Sequence, residues 1–128
     1  MSLCLAAAGI AVEIAASAFT LSWTHTIERT AWEEHWRVEP DGLVLDEARV
    51  KGSGAGMEPP EGAMPKDGFY TWRPDLPAQQ DIVLRRAPEA GDWRLCAAGR
   101  CASLGEWLGK EADPVRISPT TGGNCVDS

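Results

Sequence analysis

The chain reads as an all-β protein, an antiparallel sandwich or small barrel with at most one short helix near the C-terminus. Three observations lead there. Apolar residues recur with the two-residue rhythm of extended segments, as in Phe19, Leu21, Trp23 and again Trp32, Trp36, Val38, because side chains on a strand alternate between faces. Turn signals such as Asp41-Gly42 and Asp67-Gly68 divide the runs at fairly even spacing, as in sandwiches and barrels. No run keeps a helical period beyond about two turns, which argues against a parallel α/β sheet. With 128 residues and 44% hydrophobic content, one β-rich domain over residues 1–120 has enough apolar surface for a core. Residues 121–128 have few apolar anchors and read as a flexible tail.

The elements follow in order. Residues 3–12 are apolar, and Ala16-Ser17-Ala18 imitates a cleavage site. A secretory signal wants a positive leading region and an unbroken apolar stretch. Here no Lys or Arg precedes Arg29, and Glu13 interrupts the run. The stretch is also too short to span a bilayer, so stable membrane insertion is not expected. Leu3, Leu5 and then Ile10, Val12, Ile14 suit a hairpin turning near Ala8-Gly9. Phe19–Val38 reads as two strands joined by a short connection at Arg29–Ala31. Asp41-Gly42 turns into LVLDEARVKG. Gly52–Gly68 is Gly- and Pro-rich without periodicity, a long loop of the kind that tends to be functional or disordered. Phe69–Pro74 and Asp81–Ala87 are short strands, WRLCAAGRC is a hairpin, SLGEWLGK forms one helical turn or two, and VRIS is a last strand. Most of the six tryptophans should fill a thin core.

Charge narrows the function. At net −7 and pI near 4.7, the chain carries no basic stripe to neutralise phosphates, so nucleic acid is not an expected partner. The four cysteines are Cys4, Cys96, Cys101 and Cys125. A two-residue turn at Ala98-Gly99 sets Cys96 opposite Cys101, within disulfide reach. Two free thiols fit the same spacing in a reducing compartment. The missing signal features slightly favour the cytoplasm, with the periplasm as the alternative.

Candidate chemistry gathers in Phe19–Val38. His25 continues the row Phe19, Leu21, Trp23, and Glu34 lies in the row Trp32, Trp36, Val38. An imidazole and a carboxylate in apolar rows cost free energy unless they find partners. A His25–Glu34 pair would meet that need, and a pair that fixes strand register is preferred over a general base. His25, Glu28, Glu33, Glu34 and His35 include metal-ligand types, but no single strand face collects three of them. Glu28, Glu33 and His35 therefore read as solvated. Gly52, Ser53, Gly54 and Gly56 suit either an anion-binding nest of backbone N–H groups or a bulged strand exit. Arg73 is a partner for Asp75 or an organiser of the glutamates.

The string WTHTIERTAWEEHWRV, then LVLDEARVKGSGAGMEPPEG and the stretch FYTWRPDLP, resembles a small bacterial family, domain of unknown function 1850. Its signature elements here are His25 with Glu28, the pair Glu33-Glu34, and Gly52–Gly56. The resemblance covers Phe19 to about Leu104 and implies genes beside TAXI-type TRAP transporters, which take up solutes with a periplasmic binding protein. Some relatives carry an N-terminal anchor or signal, and this chain departs from them there. The resulting expectation is an accessory or binding module rather than an enzyme, with no cofactor, acting on TRAP transporter subunits or a small anionic solute. The site expected is a shallow Trp-lined pocket around His25, Glu34 and Gly52–Gly56. A His/Glu-based or metal-dependent hydrolase and a structural protein-interaction domain are the alternatives.

Overall fold

The computed structural model describes residues 1–24, 31–51, 64–66, 69–85, 92–109, 112–121 and 125–126. Eleven strands and one helix lie among them: β1 (Ser2–Ala7), β2 (Ile10–Ile14), β3 (Ala18–Thr24), β4 (Ala31–Glu39), β5 (Gly42–Lys51), β6 (Met64–Lys66), β7 (Phe69–Trp72), β8 (Ile82–Leu84), β9 (Arg94–Ala97), β10 (Arg100–Ser103), α1 (Leu104–Leu108) and β11 (Val115–Thr120). They form two antiparallel sheets, ordered β2-β1-β11-β8 and β10-β9-β3-β4-β5-β7-β6. The arrangement is a sandwich rather than a closed barrel.

One core joins the sheets. Leu3, Leu5, Ile14, Val115 and Ile117 from the small sheet pack with Phe19, Leu21, Trp36, Val38, Leu43 and Leu95 from the large one. Leu104 and Leu108 of α1 complete it. Burying each such leucine is worth roughly 2 kcal/mol. The apolar N-terminal run is thus core strand: β1 is buried along its whole length, between β2 and β11. Helix α1 is short but well started. The Ser103 hydroxyl accepts the Glu106 N–H at 3.1 Å, and the Glu106 carboxylate accepts the Ser103 N–H at 3.1 Å, a reciprocal capping box.

Two hairpins share one turn chemistry. Ala8-Gly9 has φ of 51° and 82°, and Ala98-Gly99 has 52° and 80°. Positive φ at both central residues is the type I′ geometry whose twist matches that of the flanking strands. The second hairpin pairs Cys96 with Cys101, and their sulfurs are bonded. A second disulfide joins Cys4 to Cys125, so the stretch whose composition suggests fraying is fastened to β1.

The large sheet differs from expectation in two places. Met64–Lys66, inside the aperiodic Gly52–Gly68 stretch, is a short strand paired to β7; three residues are too few for periodicity to register. The β3–β4 ladder also runs in another register than a connection at Arg29–Ala31 requires. Trp23 pairs with Trp32, Thr24 with Ala31, and Leu21 with Glu34. This ladder brings the aromatic rows of both strands level, with Phe19 opposite Trp36, and so buries more apolar surface.

β5 carries a bulge. His35 pairs with Glu47 but Trp36 pairs with Leu45, which leaves Asp46 as the extra residue. The insertion has a clear purpose. Leu43 and Leu45 alternate on odd numbers while Ala48 and Val50 alternate on even ones. One unpaired residue between them keeps all four on the core face.

Candidate functional site

The inner face of β4 presents Trp32, Glu34 and Trp36 in succession. Glu34 is half-buried, flanked on neighbouring strands by Leu21 at 0% exposure and Ala48 at 1%. Its carboxylate is satisfied along its own strand. Trp32 donates its indole N–H to Oε2 at 2.9 Å, and Trp36 donates to Oε1 at 3.1 Å. Period-two spacing makes this possible, because residues i±2 share a face. Hydrogen bonds to an ionised acceptor are stronger than neutral ones, so two of them offset much of the desolvation. A carboxylate has about four lone-pair positions, of which the described residues occupy two.

Aromatic rings surround this group. Trp36 stacks on Phe19 with centroids 6.1 Å apart and 2° between planes. Trp32 meets Trp72 edge to face at 5.5 Å and 68°. Trp72 lies opposite Ala48 on β7, in the same cross-strand row as Glu34. Trp23, opposite Trp32, packs against Trp93 at 6.3 Å. Trp36 is buried, whereas Trp23, Trp32, Trp72 and Trp93 are half-exposed. The face is therefore a partly open aromatic surface with one anionic centre. Among the described residues no Lys, Arg or His is ion-paired with Glu34.

The outer face of the same strand is different in kind. Glu33 Oε1 lies 2.8 Å from His35 Nε2 and 3.8 Å from Arg49 Nη1. The first contact is an electrostatic approach, since that ring nitrogen makes no directed hydrogen bond. His35 Nδ1 lies 3.5 Å from the Thr20 hydroxyl. Arg37 Nε reaches both oxygens of the bulged Asp46 at 2.8 and 2.9 Å, and Nη1 reaches Glu39 at 2.6 Å. The Asp46 hydrogen bond and charge, with Glu39 adding to them, hold the Arg37 guanidinium pKa above its ordinary value. Above this row lies an open groove of about 420 Å³, bordered by Thr20, His35, Arg37, Arg100 and the Cys96–Cys101 disulfide.

Of the residues singled out by sequence, Trp32, Glu34 and Trp36 come together in one cluster. Leu21 stands directly opposite Glu34, and the expected His25–Glu34 contact rests on a residue outside those described. His25, Glu28, Gly52, Ser53, Gly54 and Gly56 lie outside the described residues. Arg73 is exposed and makes no ion pair with Asp75 or the glutamates among the described residues. Trp72, which composition alone counts among the core fillers, lies in the same cross-strand row as Glu34. No group of three His, Cys, Asp or Glu able to hold a metal occurs among the described residues. No helix there is long and apolar enough to cross a membrane.

The family model described as Domain of unknown function (DUF1850) matches residues 19–104, which hold β3 to β10 and this whole aromatic face. The chain belongs to the DUF1850 family. The matched region starts at Phe19 and so leaves out β1, β2 and β11 of the small sheet, while including every tryptophan of the Glu34 cluster. No curated protein and no solved structure matches the chain.

Proposed function

We propose that this DUF1850 protein is a binding module whose ligand docks on the tryptophan face and presents a positive charge to Glu34. One observation carries this reading: a half-buried carboxylate, held by two indole N–H groups, faces an aromatic surface without a cationic partner among the described residues. Ring faces attract cations through their quadrupole, and a partly desolvated carboxylate adds a direct charge interaction. The same field repels a carboxylate ligand. The anionic solute expected from sequence depended on the Gly52–Gly56 loop, which lies outside the described residues, and the electrostatics of the described face favour an organic cation instead.

The role follows from the resemblance: an accessory to TRAP-type solute uptake, acting beside the transporter subunits. Two disulfides support the periplasmic alternative, since such bonds persist in oxidising compartments. Thermal-shift measurements against primary and quaternary amines, amino acids and organic acids test the ligand class. Amines should raise the melting midpoint, because a ligand bound only to the native state stabilises it, and Glu34→Gln should abolish the rise. Equal stabilisation by organic acids, or an undiminished response in Glu34→Gln, would overturn the reading.

A further inference from the structure

The two disulfides differ in exposure. Cys4 is 4% exposed on a strand hydrogen-bonded on both sides, and its bond to the half-buried Cys125 spans 121 positions. Cys96 and Cys101 are 5 positions apart, on the outer face of an edge hairpin. Cys101 is exposed and Cys96 half-buried, and both border the open outer groove. We infer that Cys96–Cys101 is a reversible thiol–disulfide exchange site, with a dithiol protein or small dithiol as its co-reactant.

Two features support exchange at this bond. The first is access, since an attacking thiolate must reach a sulfur along the S–S axis and Cys101, which is exposed, borders the open groove. The second is that the hairpin does not need the bond. Four cross-strand pairs and the Ala98-Gly99 turn hold β9 to β10, β9 also pairs with β3, and Ala102 and Leu104 are anchored in the core. A reduced form therefore has a folded state available.

In the forward step a thiolate of the dithiol attacks Cys101 Sγ, breaking its bond to Cys96 and forming a mixed disulfide. Cys96 leaves as a thiolate and takes a proton from water. The second thiol of the dithiol then displaces Cys101, closing its own disulfide. Two electrons pass from the dithiol to the Cys96–Cys101 bond, and two protons end on the released thiols. Reversal of the same steps reoxidises the protein.

The oxidised full-length chain is titrated with dithiothreitol, free thiols are alkylated, and each cysteine is assigned by mass. Cys96 and Cys101 should be reduced roughly tenfold or more faster than Cys4 and Cys125, consistent with the dependence of exchange on access, while the thermal transition stays cooperative. Glutathione disulfide should close the pair again. A Cys96→Ser/Cys101→Ser variant should fold, with Cys4–Cys125 intact. Reduction of both bonds together, reduction of Cys4–Cys125 first, reduction of Cys96–Cys101 only in denaturant, or thiols that glutathione disulfide cannot close would each overturn the inference.

Discussion

The two faces of β4 carry very different numbers of charged groups, several on the outer face and one on the inner, and use them in opposite ways. On the outer face Glu33, His35, Arg37 and Glu39 trade partners with Arg49, Asp46 and Thr20, mostly within reach of water. The exposed pairs among them, Arg37 with Asp46 and Glu39, contribute little because water competes for their members. On the inner face Glu34 is a single acid among rings, and its two bonds come from indoles that have no other acceptor among the described residues. Charge on a solvated face is interchangeable, whereas charge on a packed face is tied to its donors. On the proposed reading, the ligand's charge is recognised on the inner face.

The largest break in that contrast should come from Trp36→Ala. It removes a 7% exposed ring, its stacking on Phe19 and one donor to Glu34. Loss of about 3–5 kcal/mol is expected from truncating a buried aromatic, read by urea denaturation. Glu34→Ala should follow, at about 2–3 kcal/mol, because it strands two indole N–H groups without an acceptor. Glu34→Gln retains one acceptor and should cost less than Glu34→Ala. If Glu34→Gln and Glu34→Ala cost the same, the indole bonds do not hold the carboxylate.

His35→Ala on the outer face should cost under about 1 kcal/mol, as exposed pairs do. A loss matching that of Glu34→Ala would erase the distinction between the faces. Arg37→Ala should lower the melting midpoint slightly at low ionic strength, with the difference fading as salt screens the exposed pair. A pH experiment isolates a group that belongs to neither face. The Glu106 carboxyl is held below its ordinary pKa, first by the Ser103 backbone N–H and then by the Ser103 side chain. A lowered folded-state pKa means that this contribution is fully present above the unfolded glutamate pKa and is lost as pH falls through the folded value. Glu106→Gln should remove that acid-dependent part of the α1 transition and leave the inner-face response unchanged.

Much of the architecture was legible in the residues. Ala8-Gly9 and Ala98-Gly99 mark their own turns, and the alternation of Phe19, Leu21 and of Trp32 through Val38 fixes which side faces the core. Register was not legible. Nothing local in Arg29–Ala31 says that Thr24 pairs with Ala31, because register is chosen by the sum of cross-strand packing. The parity change from Leu43, Leu45 to Ala48, Val50 is the sequence mark of the bulge at Asp46. Trp-x-Glu-x-Trp sets these three side chains on one face and already contains the indoles that bond Glu34. Cys4 and Cys125 gave no local sign, since their meeting depends on β1 lying beside β11, a contact between positions more than a hundred residues apart.

That long-range bond has a topological consequence. Positions 4 through 125 form a closed covalent ring, so one protease cut anywhere inside it yields no separate fragment. On a gel run without reductant the nicked species would still migrate as a single piece, and only after treatment with a thiol would it fall into two.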